Sequence, residues 1–327
     1  MQKIAWGIIG CGDVTEVKSG PAFNKVPNSE LVAVMRRDAG KAKDYARRHL
    51  VPAWYSDAGS LINDPKVNAI YIATPPSSHE EYTLAALRAG KPVYVEKPMT
   101  LTANSATIML QAAKECGVKL SVAHYRRAQP LFKKVKELVD NKTIGDIRCA
   151  RIVFYKKAWS DDELQKAGNA WRVDPRVSGG GLFYDLAPHQ LDLMYYFFGA
   201  PQSAMGISVN QQKTYAAEDM VTGHILFGND VLFSGLWCFN AASSGEQDVC
   251  EIIGSRGSIS FPVFGEPKIV LTTNDETQTL SFPSLPHVQQ PMIEKVVNYF
   301  LGKGANPCSA EEGHQVMQLM EALSIKS

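Results

Sequence analysis

The sequence lacks an excess of either charge, a paired-cysteine motif and any long apolar run. Lys and Arg number 34 against 33 Asp and Glu, for a formal net charge of +1. The basic surplus that neutralises a nucleic-acid backbone is missing, so a nucleic-acid partner is discounted. The six cysteines (Cys11, Cys116, Cys149, Cys238, Cys250, Cys308) form no C-x-x-C pair. That argues against a zinc knuckle and a compact disulfide framework, and reduced, mostly buried thiols are the expectation. No stretch offers ~18 uninterrupted apolar residues. The start, "MQKIAWGIIGCGD", enters a strand pattern without an apolar leader. A soluble, cytoplasmic protein with no membrane partner is expected. Internal repeats and low-complexity segments are also missing.

What is present suffices for two cores. The 327 residues, 45% of them hydrophobic, exceed the ~250–300 residues at which one core stops growing. Through residue 122, short apolar runs (Ile4–Ile9, Leu31–Met35, Ala69–Ala73, Val93–Val95, Leu120–Val122) alternate with amphipathic stretches. Two of these read as complete helices: "SSHEEYTLAALRAG", with Ser78 as N-cap and Gly90 closing it, and "TANSATIMLQAAKECG", closing on Gly117. Such alternation predicts an α/β, parallel, doubly wound sheet over residues 1–123. Residues 124–327 read differently. Helices are expected over Pro130–Asn141, Leu182–Phe198, Met292–Leu301 and Ala310–Ile325. Strands are expected at Ile147–Tyr155, Met205–Val209, Val221–Phe227, Val231–Cys238, Val249–Ile253 and Ser258–Phe261, with turn signals suited to an antiparallel meander. This second domain is α+β on one larger sheet, its last helices free to pack back on the first domain.

Gly10-Cys11-Gly12 follows the first strand and opens the first helix, with Asp13 and Val14 next and Thr15 in place of a third glycine. Glycines there permit a tight turn and let a pyrophosphate approach backbone N–H groups. Asp13 is awkward, since its carboxylate repels a pyrophosphate unless turned away. Gly20-Pro21 should interrupt this helix early. The slot ~20 residues on, where an acid normally reads the ribose 2′-OH, holds Arg36. A guanidinium cannot accept the diol hydrogen bonds, but its fork suits a 2′-phosphate. Two cations ahead of a helix N-terminus are also mildly unfavourable without an anion. NADP is therefore the expected cofactor, with NAD possible; Arg37 can stack on adenine with either.

The segment "YIATPPSSHEEYTLAALRAGKPVYVEKPMTLT", followed by "VAHYRRAQP", "GGGLFYDLAPHQLDLM" and "PCSAEEGHQVMQLMEAL", resembles the Gfo/Idh/MocA oxidoreductase family over essentially the whole chain. The resemblance implies a Rossmann first domain and a second domain with a large, open, mostly antiparallel sheet that commonly serves in oligomerisation. A homo-oligomer, dimer or tetramer, is accordingly expected. Thr74-Pro75-Pro76 and Glu96-Lys97-Pro98 end successive strands at the carboxyl edge, where ligands of such folds bind. Pro98 restricts Lys97 to an extended conformation, and the resemblance implies a cis Lys97-Pro98 bond. His79 is assigned to the cofactor or to capping its helix.

In "YDLAPHQLD", Asp185 and His189 lie four apart on one helix face, with Asp192 three further. Proton transfer, metal binding and plain polar packing are all open from spacing alone. The resemblance matches Asp185 and His189 to the family's catalytic positions, and no metal is expected. Gly179-Gly180-Gly181 ahead of them would let backbone approach a ligand. Arg126, Trp171, Arg172 and Tyr184 are the candidate substrate contacts, for stacking on a sugar face or binding hydroxyl, carboxylate or phosphate. His124 is read as structural. The expected activity is hydride transfer between nicotinamide and a secondary alcohol or ketone of a carbohydrate-like or cyclic polyol substrate. His189 is the acid/base and Asp185 its orienting group, while Lys97 is either the partner of the reacting oxygen or itself the proton relay, a division the sequence leaves open. A non-catalytic NADP-responsive regulator and a glycosidase with a retained nicotinamide are the alternatives.

Overall fold

The computed structural model describes residues 2–166, 168–274 and 276–326. It divides into two compact units, Met1–Ala128 with Leu285–His314, and Gln129–Ser284 with Gln315–Ser327.

The first unit holds β1 (Ile4–Ile9), α1 (Asp13–Val17), β2 (Ser29–Met35), α2 (Ala39–Arg48), β3 (Ala53–Tyr55), α3 (Ala58–Asn63), β4 (Ala69–Ile72), α4 (His79–Arg88), β5 (Val93–Val95), α5 (Ala103–Cys116) and β6 (Leu120–Val122). The sheet order is β3-β2-β1-β4-β5-β6, with every pairing parallel. Both faces are covered, so β1 and β4 are buried at every residue. The order reverses between β1 and β4, the switch point at which crevices open above strand ends. Trp6 anchors the core, donating to Ser29 Oγ at 3.0 Å and packing on Phe23 at 4.9 Å.

Local chemistry explains the helix ends. Asp38, Asp57 and Thr102 accept N–H groups at the starts of α2, α3 and α5, and Gly117 closes α5 at φ +64°. Ser78 stands at the α4 N-cap but does not cap it. Its hydroxyl donates instead to Thr74 Oγ1, 2.9 Å, and lies 3.1 Å from Pro75 O. As expected, α1 stops after five residues and a 3₁₀ turn follows over Gly20–Asn24 with Pro21 in its first turn.

The second unit contains α6 (Pro130–Asp140), β7 (Ile147–Lys157), α7 (Asp161–Gln165), α8 (Pro175–Ser178), α9 (Gly181–Phe198), β8 (Pro201–Val209), β9 (Met220–Phe227), β10 (Leu232–Ala241), β11 (Gln247–Gly254), β12 (Gly257–Phe261), β13 (Lys268–Thr273) and β14 (Glu276–Ser281). Its sheet runs β14-β13-β12-β11-β7-β10-β9-β8. The expected simple meander is corrected: β7 lies between β10 and β11, parallel to β10, and splits the meander into two antiparallel runs. Strands β3, β13 and β14 escaped the sequence reading. β3 is a three-residue edge strand, and β14 (ETQTLS) is nearly all exposed, so neither carries a strong apolar alternation. Two helices close the chain: α10 (Gln290–Phe300) within the first unit, and α11 (Ala310–Leu323), which starts in the first unit and ends in the second.

All six cysteines are free. Cys11, Cys250 and Cys308 are buried, whereas Cys116 and Cys149 are exposed and Cys238 is half-buried, so the expectation of mostly buried thiols holds for only half of them. Among the described residues no helix is long and apolar enough to cross a membrane.

Candidate active site

In the first unit a ladder of hydrogen bonds beyond the strand ends aligns the candidate residues along the carboxyl edge of the sheet. Ala73 N donates to Ile9 O, Glu96 N to Ile72 O and Ala123 N to Val95 O, all at 2.8–2.9 Å. The turns after β1, β4, β5 and β6 therefore sit side by side, bringing together Gly10, Thr74, Glu96 and His124.

The glycine turn is bound to the end of β2, because Met35 O accepts both Gly10 N (2.9 Å) and Cys11 N (3.1 Å). Gly10 is obligatory for the chain itself. Its φ is +93°, and a Cβ there would lie 2.7–2.9 Å from Thr74 and Ala73. Gly12 is different: its φ of −130° suits any residue, and a Cβ would meet nothing closer than 4.0 Å. Open space over a backbone with no steric need for glycine fits a group approaching from outside, as a pyrophosphate does. Thr15, in the third-glycine place, is buried and donates to Gly12 O at 2.7 Å. Asp13 is exposed and Val14 half-buried.

Arg36 is half-buried, and its Nη1 donates to Cys11 O at 3.2 Å. It is thus fastened beside the glycine turn, whereas Arg37 is exposed. The helix-end part of the charge argument weakens, because Asp38 already supplies an anion. Its carboxylate takes Lys41 N at 3.0 Å and is held below the usual range first by that N–H and also by nearby cations, Arg36 among them. Below this turn Glu16 accepts both Arg48 Nη1 and Nη2 at 2.7 Å and faces His49 Nε2 at 2.8 Å, which lowers its carboxyl to about 2.

The other two turns are tied to each other. His79 is fully buried, with Nε2 2.7 Å from Thr74 O and Nδ1 3.0 Å from Pro98 O. Burial lowers its pKa, so a neutral ring donates to one carbonyl at a time. The ring lies between the Thr74-Pro75-Pro76 and Lys97-Pro98 turns, within hydrogen-bond reach of a carbonyl of each, and does not cap its helix. Glu96 is similarly engaged. Oε1 accepts the Tyr71 hydroxyl (2.6 Å) and Gln289 Nε2 (2.6 Å), and Oε2 accepts Lys97 N (3.2 Å). Sequence reasoning missed Gln289. The Lys97-Pro98 bond is cis, as the resemblance implied, and Lys97 is half-buried. His124 is buried, and desolvation together with the positive Arg127 and Lys97 keeps it neutral. Arg126 is half-buried beside the Tyr125 ring at 5.7 Å. Arg127, the next residue, forms a buried ion pair with Glu312 at 2.6 Å.

In the second unit α9 carries Asp185 and His189 one turn apart. Asp185 Oδ2 accepts Arg172 Nε at 3.1 Å; Arg172 also donates to Gly168 O, and its guanidinium lies 4.5 Å from the Trp171 ring centroid. Trp171 and Arg172 therefore form one assembly around Asp185, with Trp171 half-exposed. His189 is only 4% exposed, and its ring meets Phe264 at 5.7 Å. Tyr184 departs from its expected role. It is buried, its ring covers Gly180, and its hydroxyl is 3.4 Å from Ser324 Oγ. The three glycines also serve the chain rather than a ligand: Gly179 and Gly181 have φ of +96° and +69°, and a Cβ on Gly180 would lie 2.3 Å from Tyr184 Cδ2. Among the described residues no group of three or more His, Cys, Asp or Glu could hold a metal ion.

Residues 4–124 match the family model described as an oxidoreductase family with an NAD-binding Rossmann fold, and residues 132–260 match the GFO/IDH/MocA C-terminal domain. The chain is 47% identical over 319 residues to oxidoreductase P35 of Formosa agariphila, covering 98% of each. It is 25% identical to a scyllo-inositol 2-dehydrogenase (NADP(+)) of Bacillus subtilis, covering 98% of this chain and 93% of the relative. A levoglucosan dehydrogenase solved in complex with NADH superimposes with a TM-score of 0.88 at 22% identity, covering 98% of this chain and 96% of the other.

Proposed function

The chain belongs to the GFO/IDH/MocA oxidoreductase family, and from that premise we propose that it is an NADP(H)-dependent dehydrogenase or reductase of a carbohydrate-like or cyclic polyol substrate. A bound nicotinamide supplies hydride transfer to or from the carbon bearing the alcohol. The protein's part is to hold the reacting atoms and to move one proton.

The observation that carries this reading is the bracing of Lys97. Its turn is held through Glu96 by Tyr71 and Gln289, and through Pro98 by His79. So many ties on one turn at the ligand-binding edge hold the backbone from which Lys97 extends, and in this reading its ammonium stabilises the developing alkoxide. His189 takes or returns the proton, and Asp185, neutralised by Arg172, orients it. Trp171 offers its half-exposed ring as a platform for a sugar face. Arg126 remains a proposed substrate contact; Tyr184 is withdrawn because its ring and hydroxyl are spent on packing.

The preference for NADP rests on Arg36, fixed through Cys11 O next to the turn that takes the pyrophosphate. Names among the relatives support the class of cofactor and include both NADP(+) and NADH. Comparing NADPH with NADH affinity in the wild type and in Arg36→Asp tests the choice: the variant should lose its NADPH preference, and an unchanged ratio removes Arg36 from the site. For catalysis, a panel of polyols, aldoses and inositols followed at nicotinamide absorbance should show turnover that falls by about 10²-fold or more in Lys97→Ala and His189→Ala. Near-normal turnover in both would sink the assignment.

Self-association through the outer face of the larger sheet completes the reading. Met205, Ile207, Leu232 and Val249 point to that face and are 68, 48, 54 and 36% exposed. A monomeric native mass would refute it.

A further inference from the structure

Between β12 and β13 the chain turns through Pro262-Val263-Phe264-Gly265, a segment with no recognisable motif. The turn is clasped by one side chain. Asp248 of β11 accepts Val263 N on Oδ1 at 3.0 Å, and Phe264 N and Gly265 N on Oδ2 at 2.6 and 2.9 Å. Three successive N–H groups closing on one carboxylate form a charge-assisted nest. The clasp fixes the backbone from which the Phe264 ring extends. That ring is backed by Phe154 at 5.1 Å, which itself packs edge-on against Phe239 at 6.2 Å. The ring also meets His189, 5.7 Å away at an interplanar angle of 75°.

We propose that Phe264, held by the Asp248 clasp, is a positioning residue that sets the ring plane of His189. The inference rests on the reading of His189 as the acid/base. The turn of an imidazole about its last side-chain bond is soft, so an edge-to-face neighbour on a rigid backing restricts the direction in which each ring nitrogen points. Proton transfer needs that direction held. The clasp transmits a change at Asp248, which lies in β11, to a ring on α9 through the turn, and Phe154, the ladder partner of Asp248, backs the same Phe264 ring.

Side-chain NMR of the histidines in the full-length protein tests the geometry without a substrate, with His189→Gln identifying the His189 signals. Phe264→Leu and Asp248→Asn should both shift these signals while leaving the other histidines in place, and Phe264→Tyr should leave them close to wild type. Turnover on the substrate found above should then fall on the order of tenfold in the first two variants, recover in Phe264→Tyr, and keep its cofactor KM in all three. Unmoved His189 signals in either Phe264→Leu or Asp248→Asn overturn the inference. So does unchanged turnover in Phe264→Leu when His189→Gln is crippled. Normal turnover in His189→Gln, with the signals shifting as described, would instead sink the catalytic reading on which the inference rests.

Discussion

Two glycine clusters stand ahead of the candidate site residues, Gly10-Cys11-Gly12 in the first unit and Gly179-Gly180-Gly181 in the second. Both read in sequence as places where a ligand approaches backbone. In the structure Gly10 answers to its own chain, through a φ of +93° and the closeness of Thr74, while Gly12 has neither a forbidden conformation nor a neighbour closer than 4.0 Å to an added Cβ. The second cluster has no counterpart to Gly12. Gly179 and Gly181 are left-handed, and Gly180 lies under Tyr184. A glycine that the fold does not need is the better pointer to a ligand than one that it does.

The sharpest break of this comparison is Gly10→Ala. A Cβ forced against the Thr74 and Ala73 backbone at a strained φ should cost about 2–3 kcal/mol or more, read as a lowered denaturation midpoint together with lost cofactor binding. Gly181→Ala comes next, since its Cβ would lie 2.4 Å from Ala217 Cβ at a φ of +69°. Its cost should approach ~1–3 kcal/mol in stability, but NADPH titration of the folded fraction should give the wild-type affinity. Gly12→Ala inverts that pattern: thermal midpoint unchanged, cofactor affinity weaker by about tenfold, as when backbone approach to a pyrophosphate is obstructed. An unaltered affinity would remove the turn from the site.

The smallest effect lies beneath the turn. Glu16 has its carboxyl lowered to about 2 by the Arg48 hydrogen bonds first and His49 next. A depressed carboxylate contributes stability that is present above its unfolded value of 4.5 and is lost as pH falls through that value toward about 2. The group is a third exposed, so solvent screening keeps the contribution to ~1 kcal/mol or less. Glu16→Gln should therefore melt slightly lower at neutral pH and lose less stability between pH 4.5 and 2. Identical acid sensitivity of the two proteins would show that the Arg48 pair contributes nothing.

The first unit was more legible than the second. Alternation of buried runs and capped helices located five of the six parallel strands, leaving only the short edge strand β3. In the second unit six of the eight strands were found, β13 and β14 were not, and the order was not legible, since nothing in β7 announces that it inserts between β10 and β11. The candidate residues show the same division. Lys97, Asp185 and His189 stood out through strand-end position, helix spacing and family resemblance. Gln289 and Glu312 did not, because they meet Glu96 and Arg127 across 193 and 185 residues of chain. Phe264 lay in a turn without periodicity, 16 residues from the β11 residue Asp248 that clasps it.

By itself the sequence determined what short-range physics controls: the alternation of strand and helix, the tight turn at Gly10, the early stop of α1, and the residue types that can carry a proton or a phosphate. Only the tertiary structure decided how those residues are employed. His79 and Tyr184 became braces and Arg172 the partner of Asp185, because a buried polar group must find its hydrogen bond among whatever neighbours packing supplies. Those neighbours come from distant parts of the chain, so no local pattern can specify them.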